Sequence, residues 1–472
     1  MPDTTSYITD DATTASRHRD YLSEYDAAPE AEKYPLVQKW IREEPLAFFA
    51  QLRAERPVLE TPECTLVANF VDVRDMLQMP GIFTVDLYKP KMGVTSPTTG
   101  YLMAHDDDAL HYREKSLMQG LLNRDDMPRV RRMVAKVASE TLDAADGRID
   151  LADGYGRIVP VTLVQQYFGL DGIDKADLIR WSYWNQYDAF NNQPFDMHSD
   201  AVYDRIVEEH DRASKELKTY IGVLMLRKTI RVKVVDAVAK VVDPARKLVR
   251  RVLGRPAPAR RDTMVTRMIR TKFAASADFP AKRVAINAGG LLIGAIETTN
   301  QAVVQAVDYF LQRPALLKTA KDKAREADTT AFDAMVWEAL RFVPIRPDIF
   351  RQASEDYTIA KGTLHETRIR EGTIVRLLIQ SAMSDPYAYE NPDAFDPDRT
   401  FYHNFCFGLG THQCLGKYVG MEMVPEMVRQ ALLREDISRD GPISYVNPDV
   451  RDTPGPFPET YEVTWGQTPG RD

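Results

Sequence analysis

One cysteine stands among residues that suit it to chemistry. The stretch Phe407-Gly408-Leu409-Gly410-Thr411-His412-Gln413-Cys414-Leu415-Gly416 brackets Cys414 with three glycines and sets a histidine two residues before it. Glycine tolerates positive φ and lets a backbone approach a flat ligand closely. The next residues, Lys417 to Leu433, read as a helix. Cys414 therefore falls near a helix N-terminus, where the dipole favours a thiolate. A thiolate is a nucleophile or a metal ligand. Tetrahedral zinc needs more cysteine or histidine ligands at short spacing. Cys406 lies at the wrong distance for that and reads as a packed thiol, and the third cysteine, Cys64, is remote in sequence. Free cysteines are usually small buried apolar residues; the glycine and histidine spacing sets Cys414 apart.

The stretch resembles the haem-binding signature of cytochrome P450s, F-G-x-G-x-H-x-C-x-G, at every fixed position. The resemblance implies haem b (iron protoporphyrin IX), with Cys414 as its axial thiolate, Phe407, Gly408 and Gly416 shaping the loop, and O2 as co-substrate. It also implies partners elsewhere. Glu338-Ala339-Leu340-Arg341 matches the family's Glu-x-x-Arg pair, and residues three apart share one helical face. Arg399, in Pro397-Asp398-Arg399, would complete a structural ion-pair network. Gly294-Ala295-Ile296-Glu297-Thr298-Thr299 resembles the acid–alcohol segment of the central helix, with Ala295 where the family prefers glycine. Thr298 bonding back to the Gly294 carbonyl would open the helix, and Thr298 with Glu297 would relay protons as the catalytic pair. The propionates would be met by His111 and Lys115, by Arg351 and by His412. Lys115 replaces the family's arginine, a point charge for a fork, and Arg113 is the alternative.

The activity so implied is that of a monooxygenase inserting one oxygen atom into an apolar small molecule. No Gly-x-Gly-x-x-Gly nucleotide fingerprint is present, so electrons are expected from a separate ferredoxin or flavodoxin-type donor with its reductase. The substrate pocket is expected along Leu87, Tyr88 and Met92 of the 83–104 loop, with Leu291, Ala295, Ile345 and Ile349. Two alternatives keep the haem. One is a peroxide-dependent peroxygenase or hydroperoxide isomerase, against which the Glu297-Thr298 pair argues. The other is a non-catalytic haem-binding sensor.

The elements that must position these residues read as mainly α with a minor β portion, as the cytochrome P450 fold requires. Residues 1 to about 35 are polar and acidic and read as an arm, with 36–472 forming one haem-binding domain. Strand composition marks Thr65–Phe70, helical patterns dominate from His111 to about Leu217, and Asp125 or Asp126 with Pro128 could start a helix. One long helix is expected from Ala281 to about Gln312, another over Ala331–Arg341, and short strands and turns over 348–379.

The net charge of −8 argues against a whole-surface nucleic-acid binder, and no nucleic-acid partner is expected. Three cysteines fit no disulfide framework, and the N-terminus has no apolar run, so a cytoplasmic protein is expected. The longest apolar run, Ala285 to Ile296, is interrupted by Asn287 and too short to span a bilayer. Residues 227–261 reverse the overall charge, with twelve Lys or Arg against Asp236 and Asp243. Val234, Val235, Val238, Val241 and Val242 recur there at helical spacing. This reads as a basic amphipathic insertion that could touch a membrane peripherally, dock an acidic protein, or be a solvated helical face.

Overall fold

The computed structural model describes residues 19–253, 262–271, 279–447 and 455–466. Its N-terminal helices are α1 (Tyr21–Ala27), α2 (Glu30–Glu43) and α3 (Pro45–Glu55). The ring of Tyr21 lies 5.4 Å from Trp40 and 5.6 Å from Phe48, and Leu22, Tyr25 and Tyr34 are buried with them. The expected polar arm therefore does not reach residue 35. Its aromatic residues bury enough apolar surface to order the chain from Tyr21 onward; residues 1–18 lie outside the described residues.

Strands β1 (Val58–Glu60), β2 (Thr65–Val67) and β3 (Phe83–Thr84) flank α4 (Phe70–Leu77). Helices α5 (Ala109–Leu121) and α6 (Met127–Ala144) lead to β4 (Arg148–Asp150). Pro128 stands in the first turn of α6, as expected, but Asp126 makes no side-chain cap. Its carboxylate instead meets Arg267 at 2.5 Å, a charged partner that outcompetes a backbone amide. Then come α7 (Ile158–Leu163), α8 (Lys175–Asn191), α9 (Asp200–Leu253) and α10 (Met264–Thr271). The expected central helix is two helices, α11 (Ala281–Ile293) and α12 (Glu297–Leu311). α13 (Pro314–Ala324) and α14 (Thr330–Phe342) follow. Next are β5 (Ile349–Ala353), β6 (Tyr357–Ile359), β7 (Thr367–Ile369) and β8 (Ile374–Leu377). α15 (Ile379–Ala382), α16 (Lys417–Leu432), β9 (Ser438–Arg439) and β10 (Glu462–Thr464) close the chain.

A five-stranded sheet has the order β1-β2-β8-β5-β3, and β2 and β8 run parallel. It packs Val67, Val375 and Leu377 against α4. The main core lies among the helices, where α6, α12, α14 and α16 bring together Val134, Val303, Leu340 and Met427. Of the basic segment 227–261, the backbone is helical to Leu253, as the end of α9. Residues 254–261, and the side chains of 239–253, lie outside the described residues.

Candidate active site

The loop before α16 folds as its glycines require. Gly408 and Gly410 have φ of 65° and 70°, and a Cβ on Gly410 would stand 2.7 Å from the Leu77 carbonyl. Gly416 differs from expectation, with φ −84°, and serves instead as the residue before α16. Cys414 donates its amide to the Phe407 carbonyl at 2.9 Å. Phe407 is wedged against Trp337 of α14, ring centres 5.0 Å apart, which fixes the start of the loop. Cys414 keeps accessible surface on one side, yet protein surrounds its sulfur closely enough that burial pushes the thiol up. The Gly416 amide and the charges of Lys115 and Lys417 pull the other way, toward the thiolate.

Helix α5 lies against the same loop. His111 Nε2 is 3.1 Å from the Thr411 carbonyl, and its Nδ1 is 2.9 Å from the Leu102 carbonyl. Lys115 donates to the Thr411 carbonyl and, at 2.9 Å, to that of Gln413. Its ammonium is thus held by the loop itself, and burial lowers its pKa to about 8. His412 stacks edge-on to His111, ring centres 5.1 Å apart, with Nε2 3.2 Å from Asp106 Oδ1. Its Nδ1 is buried with no hydrogen-bond partner among the described residues. Arg351, on β5, is buried; it donates to the Phe350 carbonyl at 2.8 Å and forms no ion pair among the described residues.

The break between α11 and α12 has a local cause. Thr298 Oγ1 donates to the Gly294 carbonyl at 2.9 Å, and Thr299 Oγ1 to that of Ala295 at 2.8 Å. Two hydroxyls take carbonyls that a continuous helix would use, and the ladder opens. Thr298 is half-buried at this notch, whereas Glu297 is fully buried. Its carboxylate accepts from Arg157 Nε at 2.9 and 3.2 Å and from Asn300 Nδ2 at 3.3 Å. Arg157 also reaches Glu459 at 3.0 Å and the Pro458 carbonyl at 3.1 Å. Burial raises the Glu297 pKa against the pull of Arg157. The structure thus parts the expected pair: adjacent in sequence, one group faces the notch and the other an ion pair.

A sequence model of cytochrome P450 matches residues 187–434. The chain belongs to the cytochrome P450 family. It is accordingly an oxidoreductase, a monooxygenase that uses haem and O2. It is 24% identical over 425 residues to the P450 monooxygenase PikC of Streptomyces venezuelae, covering 86% of this chain and 89% of that one. It is 22% identical over 402 residues to pulcherriminic acid synthase of Bacillus subtilis, covering 81% and 86%. Among solved structures, CYP109Q5 of Chondromyces apiculatus superposes with a TM-score of 0.67 at 21% identity, over 90% of this chain and 96% of that one. CYP109E1 of Bacillus megaterium, in complex with testosterone, superposes with a TM-score of 0.68 at 17% identity, over 91% and 100%.

The residues present suit a P450 haem. Among the described residues Arg351 is a buried cation with no carboxylate in ion-pair range, and His412 Nδ1 is a buried polar atom without a partner; anionic propionates would answer both. Behind the loop, Arg341 holds Glu338 through bonds of 2.8 and 3.0 Å, and Arg399 Nε lies 3.4 Å from the same carboxylate. Arg399 also donates to the carbonyls of Glu390 and Asn391 at 2.6 and 2.8 Å. The three expected network residues therefore meet.

The expected pocket residues of this P450 sit in three apolar clusters. Leu291, Ala295 and Ile345 lie with the helical core, Ile349 with the sheet, and Leu87, Tyr88 and Met92 with the N-terminal helices. Tyr88 stands against Phe190 of α8, ring centres 5.2 Å apart. Sequence reasoning passed over Tyr101, whose ring lies against Gly290 of α11 so closely that a Cβ there would be 2.0 Å from Cε2. It also passed over Arg157 and the buried Glu114–Arg283 ion pair, 2.5 Å, which Asn287 joins at 2.7 Å. Asn287 interrupting an apolar run was a signal for that network; a lone Arg157 in a helical stretch offered none.

Proposed function

We propose that this P450 binds haem b through Cys414 and hydroxylates, or oxidises in a related way, a small apolar molecule with electrons from a separate ferredoxin or flavodoxin-type donor. The observation that carries this is the loop that presents Cys414 just before α16, held by the left-handed Gly408 and Gly410, by the Cys414 amide on the Phe407 carbonyl and by Lys115 on the Gln413 carbonyl. The Gly416 amide and the charges of Lys115 and Lys417 favour the thiolate against the effect of burial. Haem held by the Cys414 thiolate would supply the activation of O2 for insertion of one oxygen atom.

The chain's own residues then have separate tasks. Arg351 and the free Nδ1 of His412 hold propionates, with His111 beside them. Lys115 either keeps the loop carbonyls of Thr411 and Gln413 in place or turns to a propionate by releasing them. Glu338, Arg341 and Arg399 brace the loop from behind. Thr298 presents its hydroxyl at the notch. Glu297 passes a proton to Thr298 Oγ1 only after its carboxylate has left Arg157 and taken up a proton from solvent, so the ion pair gates the relay. Leu291 and Ala295 line the notch side of the substrate space.

The test is the spectrum of the reduced protein with carbon monoxide. Wild type shows the red-shifted band of thiolate ligation and Cys414→Ser does not; an unchanged spectrum in the variant ends this reading. The hold of Arg157 on Glu297 favours a second reading, a peroxide-dependent peroxygenase, since a peroxide supplies oxygen with its protons already attached. Turnover faster with hydrogen peroxide than with a ferredoxin and reductase would select it.

A further inference from the structure

Helix α9 is apolar on two faces. Ile221, Leu224, Met225 and Val232 are buried against the body of the protein. On the opposite side Val223, Leu226, Ile230, Val234 and Val238 recur at spacings of three and four, each between 54% and 65% exposed. A helix in water normally turns polar residues outward; apolar character on both sides marks a face that something covers. From Lys233 to Val238 no residue is buried, so the helix has there left the protein core.

The charge beside the stripe identifies its cover. Arg231 and Lys233 are exposed on its two shoulders and form no ion pair among the described residues, whereas Arg227 and Lys228 are answered by Asp171. In sequence, residues 239–261 add eight Lys or Arg against one Asp. A second copy of this chain would bring like charges together on both shoulders. A protein partner is ordinarily gripped through aromatic, Met or Arg anchors in a packed pocket; this stripe is wholly aliphatic and lies on a convex helix. Aliphatic side chains with basic residues on each edge instead match the headgroup–acyl boundary of an anionic bilayer, where long cationic side chains reach up to the phosphates.

We propose that α9, through Val223, Leu226, Ile230, Val234 and Val238 with Arg231 and Lys233, is a peripheral binding site for anionic lipid. The site is independent of the haem assignment, because it is read by partitioning rather than turnover. The full haem-loaded protein is sedimented with vesicles of phosphatidylcholine alone and of phosphatidylcholine and phosphatidylglycerol in equal parts. Binding is expected to the mixed vesicles only. It should weaken as salt rises from about 0.1 to about 1 M, where the Debye length falls from about 10 to about 3 Å. Ile230→Asp with Val234→Asp should lower partitioning at least about tenfold, and Arg231→Glu with Lys233→Glu should lower it and flatten its salt dependence. A carbon monoxide spectrum like that of wild type shows each variant folded; Val223→Ser with Leu226→Ser is the milder substitute. Absence of binding to the mixed vesicles, or binding that survives loss of the stripe, overturns the proposal. So does lipid-free self-association abolished by the Asp variants, which would give the stripe to a second copy.

Discussion

Replacing Arg157 with glutamine tests the buried ion pair at Glu297 quantitatively. The substitution leaves a fully buried carboxylate with Asn300 as its remaining donor, and Glu459 loses its 3.0 Å contact as well. Breaking a buried pair in this way costs about 3–5 kcal/mol. Glu297 has an escape, which is to take up a proton. From an ordinary glutamate value of about 4.3, protonation at pH 7 costs about 4 kcal/mol, and at pH 5 about 1 kcal/mol. The loss caused by Arg157→Gln should therefore shrink by about 1.4 kcal/mol for each unit of pH lowered. The sign follows from proton counts: the folded variant binds one more proton than its unfolded chain, so its relative stability falls as pH rises. Urea unfolding of both proteins from pH 5 to pH 8 measures this. Glu297→Gln added to Arg157→Gln should remove the pH dependence, because no carboxylate then remains at that position. A loss below about 1 kcal/mol at pH 7, or one that ignores pH, would show that the pair is not buried as described.

Thr298→Val should leave the thiolate spectrum intact and lower product formed per electron pair about 100-fold or more, the share of a positioned proton-transfer group, measured as product against NAD(P)H consumed. Gly290→Ala forces a methyl group onto the Tyr101 ring, 2.0 Å from Cε2, and should cost about 1–3 kcal/mol in urea unfolding. Asp348 is buried and bonded to Arg376 at 2.7 Å, which holds its pKa below the usual carboxylate range despite burial. Its contribution is present above the unfolded value and is lost as pH falls through the folded one. Asp348→Asn should thus cost about 3–5 kcal/mol near neutrality and progressively less below about pH 4, by the same titration.

The chemistry was legible where function constrains neighbours in sequence. The thiolate loop occupies ten consecutive residues, and the Glu338–Arg341 pair one turn of helix, so short-range spacing revealed both. Thr298 bonding Gly294 was likewise legible, because that bond spans four residues. The opening of the helix was legible with it; that the opening divides the central helix into two depends also on the second hydroxyl, Thr299, which bonds the Ala295 carbonyl. The N-terminal arm was misjudged because its polar composition concealed Tyr21, Leu22 and Tyr25, which gain their value only when Trp40 and Phe48 pack upon them.

What the sequence alone determined is the identity of the groups available: one cysteine in a glycine loop, one threonine at a helix break, and a basic segment in an acidic chain. What only the tertiary structure decided is which way those groups face. Glu297 and Thr298 are neighbours in the chain, but Arg157, 140 residues away, draws one carboxylate out of the notch. Leu87, Tyr88 and Met92 pack in a cluster with the N-terminal helices, Phe190 and Phe350, and the valines of α9 lie on a face that no described residue covers. Facing depends on where distant chain segments offer charge or apolar surface, and that is a property of the assembled core rather than of any local run of residues.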